Sequence, residues 1–202
     1  EQCHLLLLPH VVITNKDMAK IRHVNEGRLK AATLPMLFKK AKGPDGLNAL
    51  YANPPYATAQ ILHPEKYFLT PQSAQGFFPA GLLSHMAVPT LFEQSLGEFL
   101  LRGLLGAEHS LALASQVAAG WRGDQLFSFA GKNFQTTAWY SSWGSGGEAR
   151  AFQRAFQTVA EKRQRIRLRR SAGKDDETLF ANTRDRGGFA LARHDNIVLY
   201  LI

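Results

Sequence analysis

The densest concentration of ionisable side chains lies at Glu161–Arg170, which reads EKRQRIRLRR. Six bases and one acid give this stretch a charge of +5; the whole chain carries +8, so the remainder carries only +3. Arg163, Arg165, Arg167, Arg169 and Arg170 therefore form a candidate interaction surface. Guanidinium groups make forked, charge-assisted hydrogen bonds to carboxylates and phosphates, so the run could meet an acidic partner protein or an anionic lipid surface. The bland alternative is an ordinary solvated face. A protein that coats nucleic acid spreads its basic charge widely, whereas here it is one local patch. No aromatic residues interleave with it to stack bases, which also argues against a nucleic-acid partner.

Other candidates are weaker. His63 and Glu65 flank Pro64 and could act as an acid–base pair, or simply fix a turn by hydrogen bonding. Trp121, Trp139 and Trp143, with Tyr140, could line an aromatic face for a ligand, since Trp139 and Trp143 fall on one side of a strand. The competing reading places them in the core with each indole N–H satisfied locally. Gly123-Asp124 reads as a turn into a hairpin rather than a cation site. His85, His109 and His194 have no partners at metal-ligand spacing, and a hairpin turn accounts for His194-Asp195. Ser141, Ser142 and Ser145 lack a nucleophile-elbow pattern. Gly144–Gly147 is not followed by the Lys-Ser/Thr of a phosphate loop. The one cysteine, Cys3, excludes an intramolecular disulfide or a Cys-rich zinc site and reads as a small apolar residue. On this reading no residue is assigned a catalytic, cofactor-binding or metal-binding role.

The elements that would carry these residues follow from periodicity. A chain of 202 residues, 45% hydrophobic and 20% charged, is long enough to bury a real core. No apolar run approaches the ~18–20 residues of a membrane span, and Pro9 and His10 stop the Leu5–Leu8 cluster. The sequence opens on Glu1, which leaves open a removed leader or a piece of a longer chain. Residues 16–42 read as helix with Thr14 or Asn15 as N-cap and a break at Pro35. Short helices are expected at Asp45–Tyr51 and Thr58–His63, with Asn53-Pro54-Pro55 extended between them and an irregular connection over Leu69–Pro89. Leu91, Leu96, Phe99, Leu100, Leu104 and Leu105 recur at helical spacing, and a second helical run covers Ala107–Ala119. Strands at Gln125–Ala130 and Phe134–Trp143 flank a Gly131-Lys132-Asn133 turn. A helix follows at Glu148–Gln164 with Ala151, Phe152, Ala155, Phe156 and Val159 as its apolar stripe. Arg165–Arg169 fits an edge strand or a helix tail, and Lys174–Glu177 a loop. Phe189–Arg193 and Ile197–Ile202 form a last hairpin around His194-Asp195-Asn196. The expected fold is α+β. A mostly helical segment, 1–90, precedes an α-β-β-α-β-β unit, 91–202, whose antiparallel sheet of two hairpins carries helices on one face.

Four stretches in fixed order carry a resemblance. They are Tyr51-Ala52-Asn53-Pro54-Pro55 with Thr58 and Gln60-Ile61-Leu62-His63-Pro64-Glu65-Lys66-Tyr67; Leu96-Gly97-Glu98-Phe99-Leu100-Leu101-Arg102; Ala118-Ala119-Gly120-Trp121-Arg122-Gly123-Asp124-Gln125; and Thr137, Trp139, Trp143, Glu148, Ala149 and Phe152. Over roughly Gly46 to Phe156 the chain resembles a group of secreted bacterial proteins related to zincin-type metallopeptidases. Active members of that group hold zinc with a His-Glu-x-x-His helix and a further acidic ligand. Here His4, His10 and His23 form no such motif, and Arg28 stands where Val24-Asn25-Glu26-Gly27-Arg28 would need a second acid beside Glu26. The resemblance thus implies a non-enzymatic extracytoplasmic binding or accessory subunit of a larger envelope assembly, built on a degenerate metallopeptidase-related scaffold and using no cofactor. Two alternatives stand beside it. One is a fragment of an active zinc metallopeptidase whose catalytic helix lies upstream; the other is a polyanion-binding module using the 161–170 run.

Overall fold

In the computed structural model of the protein, the residues described are 44–55, 57–68, 90–130, 135–172, 177–184 and 187–202. The expected helix over 16–42 with its caps, the connection over 69–89, the turn at 131–133 and the loop at 174–176 lie outside them. So do Cys3, His4, His10, His23, Glu26, Arg28 and His85.

Among the described residues three short helices come first: α1 (Pro44–Ala52), α2 (Thr58–Leu62) and α3 (Pro64–Phe68). Strand β1 (Thr90–Gln94) precedes helices α4 (Gly97–Gly106) and α5 (Leu111–Ala118). The hairpin β2 (Trp121–Ala130) and β3 (Gln135–Trp143) leads into the long helix α6 (Gly146–Gln164). Strands β4 (Arg169–Ala172), β5 (Glu177–Arg184), β6 (Gly187–His194) and β7 (Ile197–Leu201) complete the chain. All seven strands join one antiparallel sheet in the order β1-β2-β3-β7-β6-β5-β4. The architecture is α+β. Among the described residues no helix is long and apolar enough to cross a membrane.

Strand alternation sets the two faces of the sheet. Leu126, Trp139, Tyr200 and Leu191 lie opposite one another across four strands and all enter the main core. Their chain neighbours Phe127, Ala138 and Leu201 make the next row, on the other face, as a period of two residues requires. Helix α6 covers the first face. Phe152 stacks on Trp143 with ring centroids 4.3 Å apart, and Phe156 meets Trp139 and Tyr200 edge-on at 5.1 Å each. Phe152 and Phe156 are fully buried, so truncating either to alanine should cost about 3–5 kcal/mol. Helix α6 begins where it does because Ser145 Oγ accepts from the Glu148 N–H at 3.2 Å, a Ser-x-x-Glu capping pattern. It ends at Arg165, which takes a left-handed φ of 53°. For a residue other than glycine that conformation costs about 1 kcal/mol.

Several expectations need correction. Leu91 was grouped with the leucines of the following helix, but it lies in β1 and is 57% exposed. Its spacing fits a helix, yet Gly97 at φ 72° breaks the right-handed path at the first residue of α4, and residues 90–94 instead pair with the edge of β2. Among the described residues the sheet holds seven strands, more than the two expected hairpins; β1, β4 and β5 extend it at both ends. Glu177 opens β5 rather than closing a loop. Arg165–Arg169 is neither all strand nor all helix: Arg165 caps α6, and β4 starts at Arg169.

Candidate functional site

The four stretches quoted above, spread over a hundred residues of sequence, meet at one place. Asn53-Pro54-Pro55, a bend and two residues in no helix or strand, precede α2, and Pro64, which fixes φ and needs no N–H partner, starts α3. This brings Thr58 against the start of α4. Thr58 Oγ1 accepts from the Phe99 N–H at 3.3 Å and lies 2.8 Å from where a Cβ on Gly97 would sit. Gly97 is therefore required twice over, by its φ of 72° and by the closeness of Thr58.

Leu96, the residue before α4, has no side chain able to cap a helix. The cap comes from β2 instead. Asp124 accepts from the Leu96 and Gly97 N–H groups at 2.9 and 3.0 Å, from Ser95 Oγ at 2.9 Å, and from the indole N–H of Trp121 and Trp139 at 3.0 and 2.9 Å. Its charge also opposes the positive end of the α4 dipole. The hairpin, the helix and both tryptophans thus share one carboxylate, itself only 8% exposed.

The next residue of α4 after Gly97, Glu98, is completely buried. His63 Nε2 donates to Glu98 Oε1 at 2.8 Å, and Arg102, one turn along α4, donates to the same oxygen from Nε at 3.0 Å. Lys66 Nζ faces Glu98 Oε2 at 3.5 Å while donating to the Ala119 carbonyl at 2.8 Å. Glu65 adds a second carboxylate, 3.4 Å from His63 Nδ1. Burial alone would raise the Glu98 pKa. The His63 hydrogen bond and the charges of His63, Arg102 and Lys66 outweigh it, and the carboxyl sits below its ordinary value. Burial pushes the Lys66 ammonium down against the pull of Glu98, and the nearby Arg122 lowers it further. A carboxylate neutralised in this way holds its charge and binds its neighbours; it is poorly suited to take up a proton. Among the described residues, no group of three or more His, Cys, Asp or Glu could hold a metal ion.

The expected site residues separate into two sets. Trp121, Trp139 and Trp143 are 3%, 1% and 1% exposed, so they are core and present no aromatic face to a ligand. The side of β3 that carries Trp139 and Trp143 is the side α6 covers, and Trp143 Nε1 is satisfied by Ser141 Oγ at 3.1 Å. Asp124 lies within β2 rather than in a turn. Ser145 caps α6, and Ser141 and Ser142 donate to the Val198 and Gly123 carbonyls. His109 Nε2 lies 2.9 Å from the Ala155 carbonyl. In the basic run Arg163 is half-buried, and Arg165, Arg167, Arg169 and Arg170 are exposed. Glu98, Lys66 and Arg102 were not singled out by sequence reasoning. The available signal was the Glu98–Arg102 spacing of four on a helix, together with the charge pair Glu65-Lys66 beside His63.

Residues 88–201, more than half of the chain, match a domain family described as a domain of unknown function, DUF8575. The chain belongs to the DUF8575 family. No curated protein and no solved structure matches it. The DUF8575 span includes Glu98, Arg102, Trp121, Asp124 and the whole basic run, whereas Thr58, His63 and Lys66 precede it. The buried charges around Glu98 therefore fasten α2 and α3 onto the DUF8575 domain.

Proposed function

We propose that the protein is a non-enzymatic, extracytoplasmic binding or accessory subunit that works in a larger assembly with another protein. Its scaffold would be related to zincin-type metallopeptidases without their zinc chemistry. The observation that carries this reading is how the ionisable residues of the signature stretches are used. Asp124 spends its carboxylate on five donors, and Glu98 is surrounded by His63, Arg102 and Lys66. These groups hold elements together. The exposed arginines of the 161–170 run suit contact with an acidic partner. The resemblance to secreted bacterial proteins, and the lack of a His-Glu-x-x-His motif in the chain, support the rest.

Gentle purification of the native protein from the cell envelope fraction tests it. The expected result is co-elution with a second polypeptide at fixed stoichiometry, without stoichiometric zinc and without peptide-bond cleavage. Zinc at one equivalent together with hydrolysis of a peptide library would overturn the reading.

A further inference from the structure

We infer that the protein rests on an anionic membrane surface through the outer sides of α5 and α6. Leu111 and Leu113 enter the headgroup layer, and Arg154, Lys162 and Arg165 meet lipid phosphates. This goes beyond the subunit reading and does not depend on it; Arg165 alone is common to this face and to the arginines offered to a partner protein.

Helix α5 reads Leu-Ala-Leu-Ala-Ser-Gln-Val-Ala and holds no charged residue. Its inner side is occupied, since Ala114, Val117 and Ala118 are buried. Its outer side is apolar too. Leu111, Ala112 and Leu113 are exposed, the two leucines at 47% and 42%. A surface helix ordinarily turns charged and polar residues to water, and the first turn of α5 does not. The leucines also stand on fixed backbone. Ser110 Oγ accepts from the Leu113 N–H at 3.3 Å and starts the helix. A Cβ on Gly106 would lie 3.1 Å from Leu111 Cδ2, so the bare end of α4 seats that side chain.

Two ties hold the start of α5 beside α6. His109 Nε2 lies 2.9 Å from the Ala155 carbonyl, and Glu108 pairs with Lys162 at 3.3 Å. Along α6, Ala151, Arg154, Thr158 and Lys162 fall three or four positions apart, a stripe turned away from the buried Phe152, Phe156 and Val159. Ala151, Arg154 and Lys162 are exposed, as is Arg165 at the C-cap. With that cap, α6 carries Arg150, Arg154, Lys162, Arg163 and Arg165 against Glu148 and Glu161. The Glu161 carboxylate is already held by the Leu168 N–H at 2.8 Å. Exposed leucines flanked by long cationic side chains are the combination that binds a helix surface to anionic lipid. The leucines leave water while Lys and Arg reach the phosphates.

The same features decide among occupants. Protein–protein hot spots draw on Trp, Tyr and Arg seated in pockets, with Leu under-represented, whereas these leucines project from a helix surface. A second copy of this chain, related by a two-fold axis, would set cation against cation. Nucleic acid would favour exposed aromatic residues beside the cations, and neither helix carries one there.

The test is sedimentation of the full chain with phosphatidylserine/phosphatidylcholine vesicles, with phosphatidylcholine vesicles and soluble polyglutamate as controls. The inference expects saturable binding to the mixed vesicles that weakens as salt is raised. On phosphatidylcholine alone the affinity should fall by about tenfold or more. The variants L111Q/L113Q and R154Q/K162Q/R165Q should each lose about tenfold or more while keeping the circular dichroism of the parent. L111F/L113F, with the thermal unfolding of the parent, should bind about threefold or more tightly. No sedimentation with the mixed vesicles at low salt would overturn the inference. So would parental binding by L111Q/L113Q, because charge alone would then account for the attraction. Tighter binding of polyglutamate than of the mixed vesicles would assign the face to an acidic protein instead. A parent that binds the vesicles yet purifies without a second polypeptide would keep this inference and remove the subunit reading.

Discussion

Two regions of this protein are rich in charge, and they use it in opposite ways. Around Glu98, cations from two neighbouring helices, α3 and α4, and from His63 between α2 and α3 converge on one buried carboxylate; the His63, Lys66 and Arg102 side chains are only 22%, 21% and 18% exposed. Along Arg165–Arg170 the cations stand in solvent, and the one acid of the run, Glu161, is occupied with backbone N–H groups. The residue types are the same. The difference is burial: one set of side chains encloses a fully buried carboxylate and joins parts of the fold, whereas the arginines of the other are exposed.

That contrast can be broken by mutation, and the largest effect is expected at Asp124. Asp124→Ala leaves two indole and two backbone N–H groups without their acceptor, and should cost on the order of 4 kcal/mol in urea unfolding. A loss below about 1 kcal/mol would mean that the clasp is not what joins hairpin and helix. Glu98→Gln should cost about 2 kcal/mol, less than for a fully enclosed pair because its cations are partly hydrated. It should also change the acid limb of stability. The Glu98 pKa is lowered in the folded state, so its contribution is complete above the ordinary carboxylate range and is lost as pH falls through the folded value. The pH dependence of unfolding should therefore be flatter in acid for Glu98→Gln than for the parent. A parallel pair of curves would remove Glu98 from the explanation.

Gly97→Ala sharpens the comparison further, because it tests backbone rather than charge. A Cβ there meets Thr58 Oγ1 at 2.8 Å on a residue with φ 72°, and the expected loss is about 1–2 kcal/mol. The smallest effect is expected on the exposed edge. Replacing Arg165, Arg167 and Arg169 by glutamine should change stability by no more than about 0.5 kcal/mol per site. Thermal unfolding that falls sharply in that variant would make the basic run a structural element, and the two regions would no longer differ in kind.

Much of the architecture was legible locally. Helix α6 can be read from the stripe Phe152, Ala155, Phe156 and Val159, since packing at helical spacing acts within a few turns; Ala151, grouped with them by spacing, is exposed, and the Ser145 cap was not read. The β6–β7 hairpin can be read from His194-Asp195-Asn196, and Asp195 does adopt the left-handed φ of 50° that such a turn favours. Strand β1 was not readable because it is short and exists by pairing with a neighbour that sequence does not name; an edge strand was one of two readings of Arg165–Arg169, and β4 begins at the last of those residues. The tryptophans were ambiguous for a related reason: alternation puts Trp139 and Trp143 on one side of β3, but whether that side meets water or α6 depends on where the helix returns.

What the amino-acid sequence determined alone is therefore what short-range forces govern: the long helix, the hairpin strands, the α+β class, and a cationic run too concentrated to be averaged away. Tertiary structure decided which charges are used internally. His63 and Glu98 are 35 positions apart, and Asp124 reaches Gly97 across 27. Coulomb attraction and hydrogen bonding act through space, so such partners become visible only when the chain has folded them into contact.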